Sequence, residues 1–262
     1  MRIYEIVLSI PHGSTYIPEA LRKRMPHPDE VLLQEPDLYT DRIYNIKGPK
    51  IVEATASRII SDVNRAPDEI YTIGQSRSMG VIILSTSNQE NVFETDPSFE
   101  EMQEWIAEFH APFHKELHRA LNGSRFLIDC HSMWSVSPSY REDKGTLRPD
   151  IVLGNRQYTT CDAQTTKYFR DAFLEKGYTV AINKPFIGRY VVGTHCSRNG
   201  TPGIQLEINR NLYMNEETLE PDEAAITRLN QEFREIVEGF CLWSEEHKPS
   251  MDLCDLSIEN PL

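Results

Sequence analysis

The feature that most constrains the fold is a series of short, apolar, β-branched runs at residues 3–10, 51–54, 81–84, 126–129, 151–154, 179–182 and 203–208, separated by stretches of helical periodicity. Several of these runs are too apolar to be strands with one wet face, so they read as a central sheet covered on both sides. The helical stretches are clearest over 98–122 and 222–243, with weaker ones over 28–44 and 161–176. Strands alternating with helices imply an α/β fold with a largely parallel or mixed sheet. A chain of 262 residues can bury a substantial core in one piece, and residues 1–262 are expected to form a single domain. The turn-rich, charged stretch 135–149 reads as a loop leaving a strand end, suited to act as a lid, and the segment after Pro249 reads as a loosely held terminus.

Charge and cysteine usage narrow the partners. Forty acidic against 27 basic residues leave a net charge of −13, which repels nucleic acid and anionic lipid unless basic residues gather in a patch. No such patch stands out along the chain, and no apolar run approaches the length of a membrane span. A few arginines in a cleft can still make a local pocket for a small anion. Residues 1–10 pass straight into a strand-like run without the features of a secretory leader, and the five cysteines are scattered without a C-x-x-C pair. A reduced, cytoplasmic setting is the expectation.

The strongest chemical signal is Phe126-Leu127-Ile128-Asp129-Cys130-His131-Ser132, an apolar strand ending in a histidine with an aspartate two residues earlier on the same face. The first strand repeats the pattern, closing on Pro11-His12-Gly13. Open α/β sheets bind ligands at the carboxyl ends of their strands, and two strand-end histidines there can converge on a metal. A third ligand is needed, and Asp37, Asp41, Asp62, Asp129 and Glu207 are all candidates by residue type. Asp129 suits a different task, accepting a hydrogen bond from the far ring nitrogen of a ligand histidine. In Gly203-Ile204-Gln205-Leu206-Glu207-Ile208-Asn209 the alternation puts Gln205, Glu207 and Asn209 on one strand face, where a glutamate beside a metal can relay a proton.

Arg58, Asn64 and Arg65 surround a strand-like segment and a proline turn, and paired guanidinium donors suit carboxylate recognition; a surface salt-bridge cluster is the simpler alternative. Residues 188–200, with Arg189 and Arg198, read as a glycine-punctuated loop touching substrate. His110, His114 and His118 recur every fourth residue on one helix but lack the glutamate of H-E-x-x-H, so a surface or packing role is preferred.

Taken together, Pro11-His12-Gly13, Pro36-Asp37, Ser57-Arg58 with Asp62-Val63-Asn64-Arg65, Asp129-Cys130-His131-Ser132 and Gln205-Leu206-Glu207 resemble, in order, the N-formylglutamate amidohydrolase family, from about residue 5 to about residue 215. The resemblance implies a phosphorylase/hydrolase-like, zinc carboxypeptidase-like fold: three α/β/α layers around a central mixed sheet, with one zinc ion. It implies His12, Asp37 and His131 as metal ligands, Glu207 as general base and acid, and Arg58 as the group steadying the scissile carbonyl. Asn64 and Arg65 would clamp the substrate carboxylate, helped by Arg189 or Arg198. The implied reaction is zinc-dependent hydrolysis of a small anionic N-acyl amino acid, N-formyl-L-glutamate giving formate and L-glutamate. Alternatives are a related zinc deacylase or carboxypeptidase-like enzyme acting on another acyl amino acid or peptide, and a non-catalytic zinc-containing protein that binds a small acid. Two departures from the family pattern bear on the pocket: Leu38-Tyr39 stand where the family commonly has tryptophan, and 188–200 fits only with a shift.

Overall fold

The computed structural model describes residues 1–70, 77–138 and 143–247, with backbone alone at 197–199. Six strands form one sheet: β1 (Ile6–Ile10), β2 (Lys50–Glu53), β3 (Phe126–Met133), β4 (Ile151–Gly154), β5 (Val180–Ile182) and β6 (Gly203–Asn209), in the order β2-β1-β3-β6-β4-β5. The ladders β2/β1, β1/β3, β3/β6 and β4/β5 are parallel and β4/β6 is antiparallel, so the sheet is mixed. The carboxyl ends of β1, β2, β3 and β6 therefore share one edge. The helices are α1 (Glu19–Arg22), α2 (Asp29–Leu32), α3 (Thr40–Ile43), α4 (Phe99–Trp105), α5 (Ala111–Leu121), α6 (Ala163–Glu175), α7 (Tyr190–Asn199) and α8 (Glu223–Glu246), with a π turn over Ile106–His110 joining α4 to α5.

Alternation along the strands divides the core into two layers. Ile6, Leu8 and Ile10, Phe126, Ile128 and Cys130, and Ile204, Leu206 and Ile208 pack on one face with residues of α3, α6 and α8, including Phe169, Phe173, Phe233 and Phe240. Val7, Val52 and Leu127 pack on the other face with Phe113, Leu117 and Leu121 of α5 and Val191, Val192 and Cys196 of α7. Each fully buried aliphatic or aromatic side chain contributes about 1.5–3 kcal/mol, which explains why β1, β3, β4 and β6 hold at four to eight residues. The long helices begin where the sequence supplies caps: Ser98 and Glu101 form a reciprocal capping box, and Asp162 and Asp222 accept from the backbone N–H of Thr165 and Ala225. At Gly203 the missing Cβ matters, because one would lie 2.3 Å from the Cys196 sulfur and 2.9 Å from Leu127. That contact lets α7 lie close on the sheet.

Three expectations need correction. Residues 81–84 are buried but form no strand; they run beside residues 59–62, with Ile83 N donating to Ile59 O at 3.1 Å and Asp62 N to Val81 O at 2.7 Å, in a separate apolar cluster with Trp105 and Ile106. An apolar run has no direction of its own, and tertiary packing decided this one. The helix expected over 28–44 is broken into α2 and α3. Pro36 lacks an N–H and biases the residue before it away from helical angles, while Tyr39 takes a left-handed φ of 66°. The loop expected over 188–200 is mostly α7, ended by Gly200 at φ 68° in the usual helix-terminating conformation. Residues 139–142 of the expected lid, and the terminal segment after Pro249, lie outside the described residues. Among those described, no helix is long and apolar enough to cross a membrane.

Candidate metal centre and active site

On the α5/α7 face the strands change character along their length. Val7 and Leu127 are apolar, but the next inward positions are Ser9, Asp129 and Gln205, paired in register, followed by His131 opposite Glu207. All five are at most 5% exposed. Such a row of buried polar groups at the carboxyl edge of a parallel ladder needs partners. His12 joins it two residues beyond β1. Asp37 is brought in by the break between α2 and α3, where its N–H donates to His12 O at 2.9 Å. Ser132 N donates to Asp37 Oδ2 at 3.1 Å, and Arg210, 2% exposed, donates to Asp37 Oδ1 at 3.0 Å and to the carbonyls of Pro36 and Gln34.

The result is a nearly equilateral triangle. His12 Nδ1 and His131 Nδ1 are 3.2 Å apart, and Asp37 Oδ2 lies 3.3 Å from the first and 3.4 Å from the second. The far ring nitrogens are occupied: His12 Nε2 meets Asp62 Oδ1 at 2.8 Å and His131 Nε2 meets Asp129 Oδ2 at 2.9 Å. An ionised carboxylate can only accept, so each Nε2 carries the hydrogen and each Nδ1 turns a lone pair inward. Three inward lone pairs repel unless a cation sits among them. A tetrahedral ion with ligands at about 2.0–2.1 Å requires ligand atoms about 3.3 Å apart, the edge found here. Among the described residues, His12, Asp37 and His131 are the group able to hold a metal ion.

The electrostatics agree with that reading. Burial works against charge on Asp37, yet His12, His131 and Arg210 around it hold its pKa well below the usual carboxylate range. Asp62 is likewise held low against burial, chiefly by Arg58 and then His12. Burial opposes a proton on His131, but Asp129 and Asp37 outweigh it and raise its pKa well above the histidine range. Asp129 also keeps one buried oxygen, Oδ1, without a hydrogen-bond partner among the described residues. The centre is built to attract positive charge.

Glu207 stands across the ladder from His131, and burial pushes its carboxyl up to about 7, with His131 pulling the other way and Asp37 adding to the rise. Gln205 donates to Glu207 Oε1 at 2.8 Å, and Gln205 Oε1 accepts from Arg189 N at 2.9 Å. The same pocket is lined by Arg58, Asn64, Arg65, Arg148 and Arg189, with Trp134 and Phe186 as its aromatic wall. Arg58 is held by Asp62 Oδ2 at 2.6 Å. Arg65 is 6% exposed, with Nη1 3.5 Å from Glu69. Asn64 accepts from Val191 N at 2.9 Å through Oδ1, and its Nδ2 lies 3.1 Å from His131 Nε2. Arg189 is exposed at the rim, just before α7. Arg198 lies on α7, and its side chain falls outside the described residues.

The structure thus gathers eight of the nine residues that the family resemblance implied, His12, Asp37, Arg58, Asn64, Arg65, His131, Arg189 and Glu207, around one pocket. Asp129 meets His131 as its strand position suggested. Sequence reasoning missed the task of Asp62, weighed there only as a possible ligand, and missed Arg210 and Arg148 altogether. Arg210 carried a weak signal, since it directly follows the polar face of β6; its guanidinium also lies 4.6 Å from the Trp134 ring. Arg148 carried none, because a turn-rich loop does not reveal which residue faces inward.

Comparison with known proteins bears on both fold and family. The crystal structure of N-formylglutamate amidohydrolase from Ralstonia eutropha JMP134 is similar to this chain at a TM-score of 0.82 and 22% identity, covering 93% of this chain and 95% of that one. The crystal structure of gene product Atu2144 from Agrobacterium tumefaciens gives 0.72 and 17% identity, covering 92% of each chain. At these identities the likeness speaks for the fold, a mixed-sheet α/β architecture. No curated protein matches the chain in sequence. The sequence model of N-formylglutamate amidohydrolase matches residues 4–214. With most of its length covered by that match, including every element that lines the pocket, the chain belongs to the N-formylglutamate amidohydrolase family, hydrolases that act on an amide.

Proposed function

We propose that the chain hydrolyses N-formyl-L-glutamate to formate and L-glutamate, using one zinc ion held by His12, Asp37 and His131. The observation that carries this reading is the triangle of ligand atoms with 3.2–3.4 Å edges, which faces the pocket that Glu207 also lines. Bound there, zinc would acidify a coordinated water and polarise a carbonyl, the two contributions that make amide hydrolysis feasible near neutral pH. The protein supplies the remaining work. Glu207, with a pKa near 7, can take a proton and give it up again within the physiological range. It is positioned to deprotonate the attacking water and then protonate the departing amide nitrogen. The hydrogen bond from Gln205 to Oε1 steers the other carboxylate oxygen, Oε2, toward that task.

Arg58, oriented by Asp62, steadies the carbonyl oxygen as negative charge develops on it. Asn64 and Arg65 on the pocket wall, with Arg189 at the rim and Arg198 on α7, form the clamp for the substrate carboxylates. A doubly anionic substrate explains why a chain of net charge −13 gathers arginines in its cleft. The test is metal analysis of the purified protein together with a formate-release assay. Near-stoichiometric zinc and rapid turnover of N-formyl-L-glutamate are expected. A metal-free but fully active protein would exclude the zinc role, and inertness toward N-formyl-L-glutamate beside cleavage of other acyl amino acids would exclude the substrate.

A further inference from the structure

Outside the lining of the pocket lies a second cluster of histidines, to which the proposed reaction assigns no part. His110 ends the π turn before α5, His114 follows one turn later, and His195 comes from α7. The His110 and His114 rings are 4.3 Å apart, and the His114 and His195 rings stack at 5.1 Å, 5° from parallel. Tyr190 closes the cluster, its ring 5.2 Å from His114. His110 and His195 are 3% and 5% exposed, whereas His118, a turn further along α5, is exposed.

Their nitrogens have definite partners. His110 Nε2 lies 2.8 Å from Arg65 O and His114 Nε2 lies 2.8 Å from Val63 O. A carbonyl only accepts, so both rings carry hydrogen on Nε2. His114 Nδ1 is 2.8 Å from His195 Nε2, so in a neutral His114 it accepts a hydrogen from His195. The two anchored carbonyls flank Asn64, whose own side chain is held by Val191 N of α7. This short segment delivers three groups forward. Asp62 Oδ1 accepts from Asn64 N at 2.9 Å and meets His12 Nε2, the Asn64 side chain lies beside His131, and Arg65 reaches the pocket wall.

We infer that His110 and His114 are positioning residues, whose paired Nε2–H donors hold the backbone of residues 63–65 so that Asp62, held in turn by Asn64 N, sets the orientation of His12 in the metal centre. The inference rests on the proposed metal site. An apolar side chain of similar size would fill the same space but would leave the two carbonyls without their donors, and the segment would be free to shift. Partners of ligand histidines typically govern metal affinity by 10- to 100-fold, and residues 63–65 hold one such partner, Asp62, through Asn64 N.

The test is zinc affinity by chelator competition, measured on the native chain, His114→Leu and His114→Gln, with thermal midpoints alongside. His114→Leu should bind zinc about 10- to 100-fold more weakly. His114→Gln, whose amide nitrogen reaches the position of Nε2, should bind as the native chain does. Equal affinity in His114→Leu, or an equal loss in His114→Gln, overturns the inference. A native chain that takes up no zinc overturns the metal reading and this inference together, which separates the two failures. Should His114→Leu not fold, ring ¹⁵N spectra of the native protein near neutral pH decide the matter. Hydrogen on Nε2 of both His110 and His114 supports the positioning role, and an Nδ1–H tautomer lacking the Nε2 hydrogen at either residue overturns it.

Discussion

Ile128 and Asp129 are neighbours in β3, both fully buried, yet they point to opposite faces of the sheet. Ile128 enters a face that stays apolar along the whole strand, from Phe126 through Cys130, against α6 and α8. Asp129 enters a face that turns polar halfway, after Leu127, and ends in His131 and Glu207 against α5 and α7. The two faces share a backbone but divide the labour. One is a packed apolar layer whose value is stability, and the other spends its outer half on buried charge, which costs stability unless every group is paired. The pairing seen here, His12 with Asp62 and His131 with Asp129, is what makes the second face tolerable.

If this division is right, substitutions on the two faces should separate cleanly by what they damage. The largest effect belongs to His131→Ala, which removes a proposed ligand: zinc content measured by elemental analysis should fall to background and turnover should vanish with it. Full zinc occupancy in that variant would dissolve the polar face as a metal centre. Next comes Glu207→Gln, expected to keep its zinc and bind substrate while kcat drops by about 10²–10⁴-fold, the range for loss of a general acid–base group. Turnover close to native would assign proton transfer elsewhere.

The comparison sharpens with the neighbouring pair. Ile128→Ala should lower unfolding free energy by about 2–5 kcal/mol, read from denaturant midpoints, while zinc per folded chain and kcat stay near native. A loss of zinc without a loss of stability would mean that the faces are not independent. Asp129→Asn is the smallest change. It keeps the shape and an acceptor oxygen but removes the charge behind His131, so zinc affinity should weaken by about 10- to 100-fold, about 1.4–2.8 kcal/mol, in chelator competition. An unchanged affinity would show that Asp129 orients nothing.

Much of the apolar face was legible beforehand because its information is local. Alternation and β-branching mark strands wherever they occur, and six of the seven expected strand runs are strands. The exception, residues 81–84, shows where that reasoning ends, since an apolar run is equally content in a loop that another cluster buries. The helices over 98–122 and 222–243 were read from their periodicity, and the structure starts each at a capping residue, Ser98 and Asp222. Helix α7 was read as a loop because its glycines, Gly188, Gly193 and Gly200, look like punctuation. Gly193 sits inside the helix instead, close against the Arg156 guanidinium, where a Cβ would come within 3.0 Å.

The sequence by itself determined the α/β class, the two strand-end histidines, the pairing of Asp129 with His131 and the shared face of Gln205 and Glu207. Each of these follows from a period of two residues or from adjacency along the chain. Only the tertiary structure decided that Asp37, singled out among the carboxylates by the family resemblance alone, meets both histidines, that Asp62 serves His12 from behind, that Arg210 pins Asp37, and that Arg148 faces the pocket. The physical reason is the same in each case. Acidic and basic side chains look alike along a sequence, and what distinguishes a ligand from a solvated charge is burial and a few tenths of an ångström between segments tens or hundreds of residues apart.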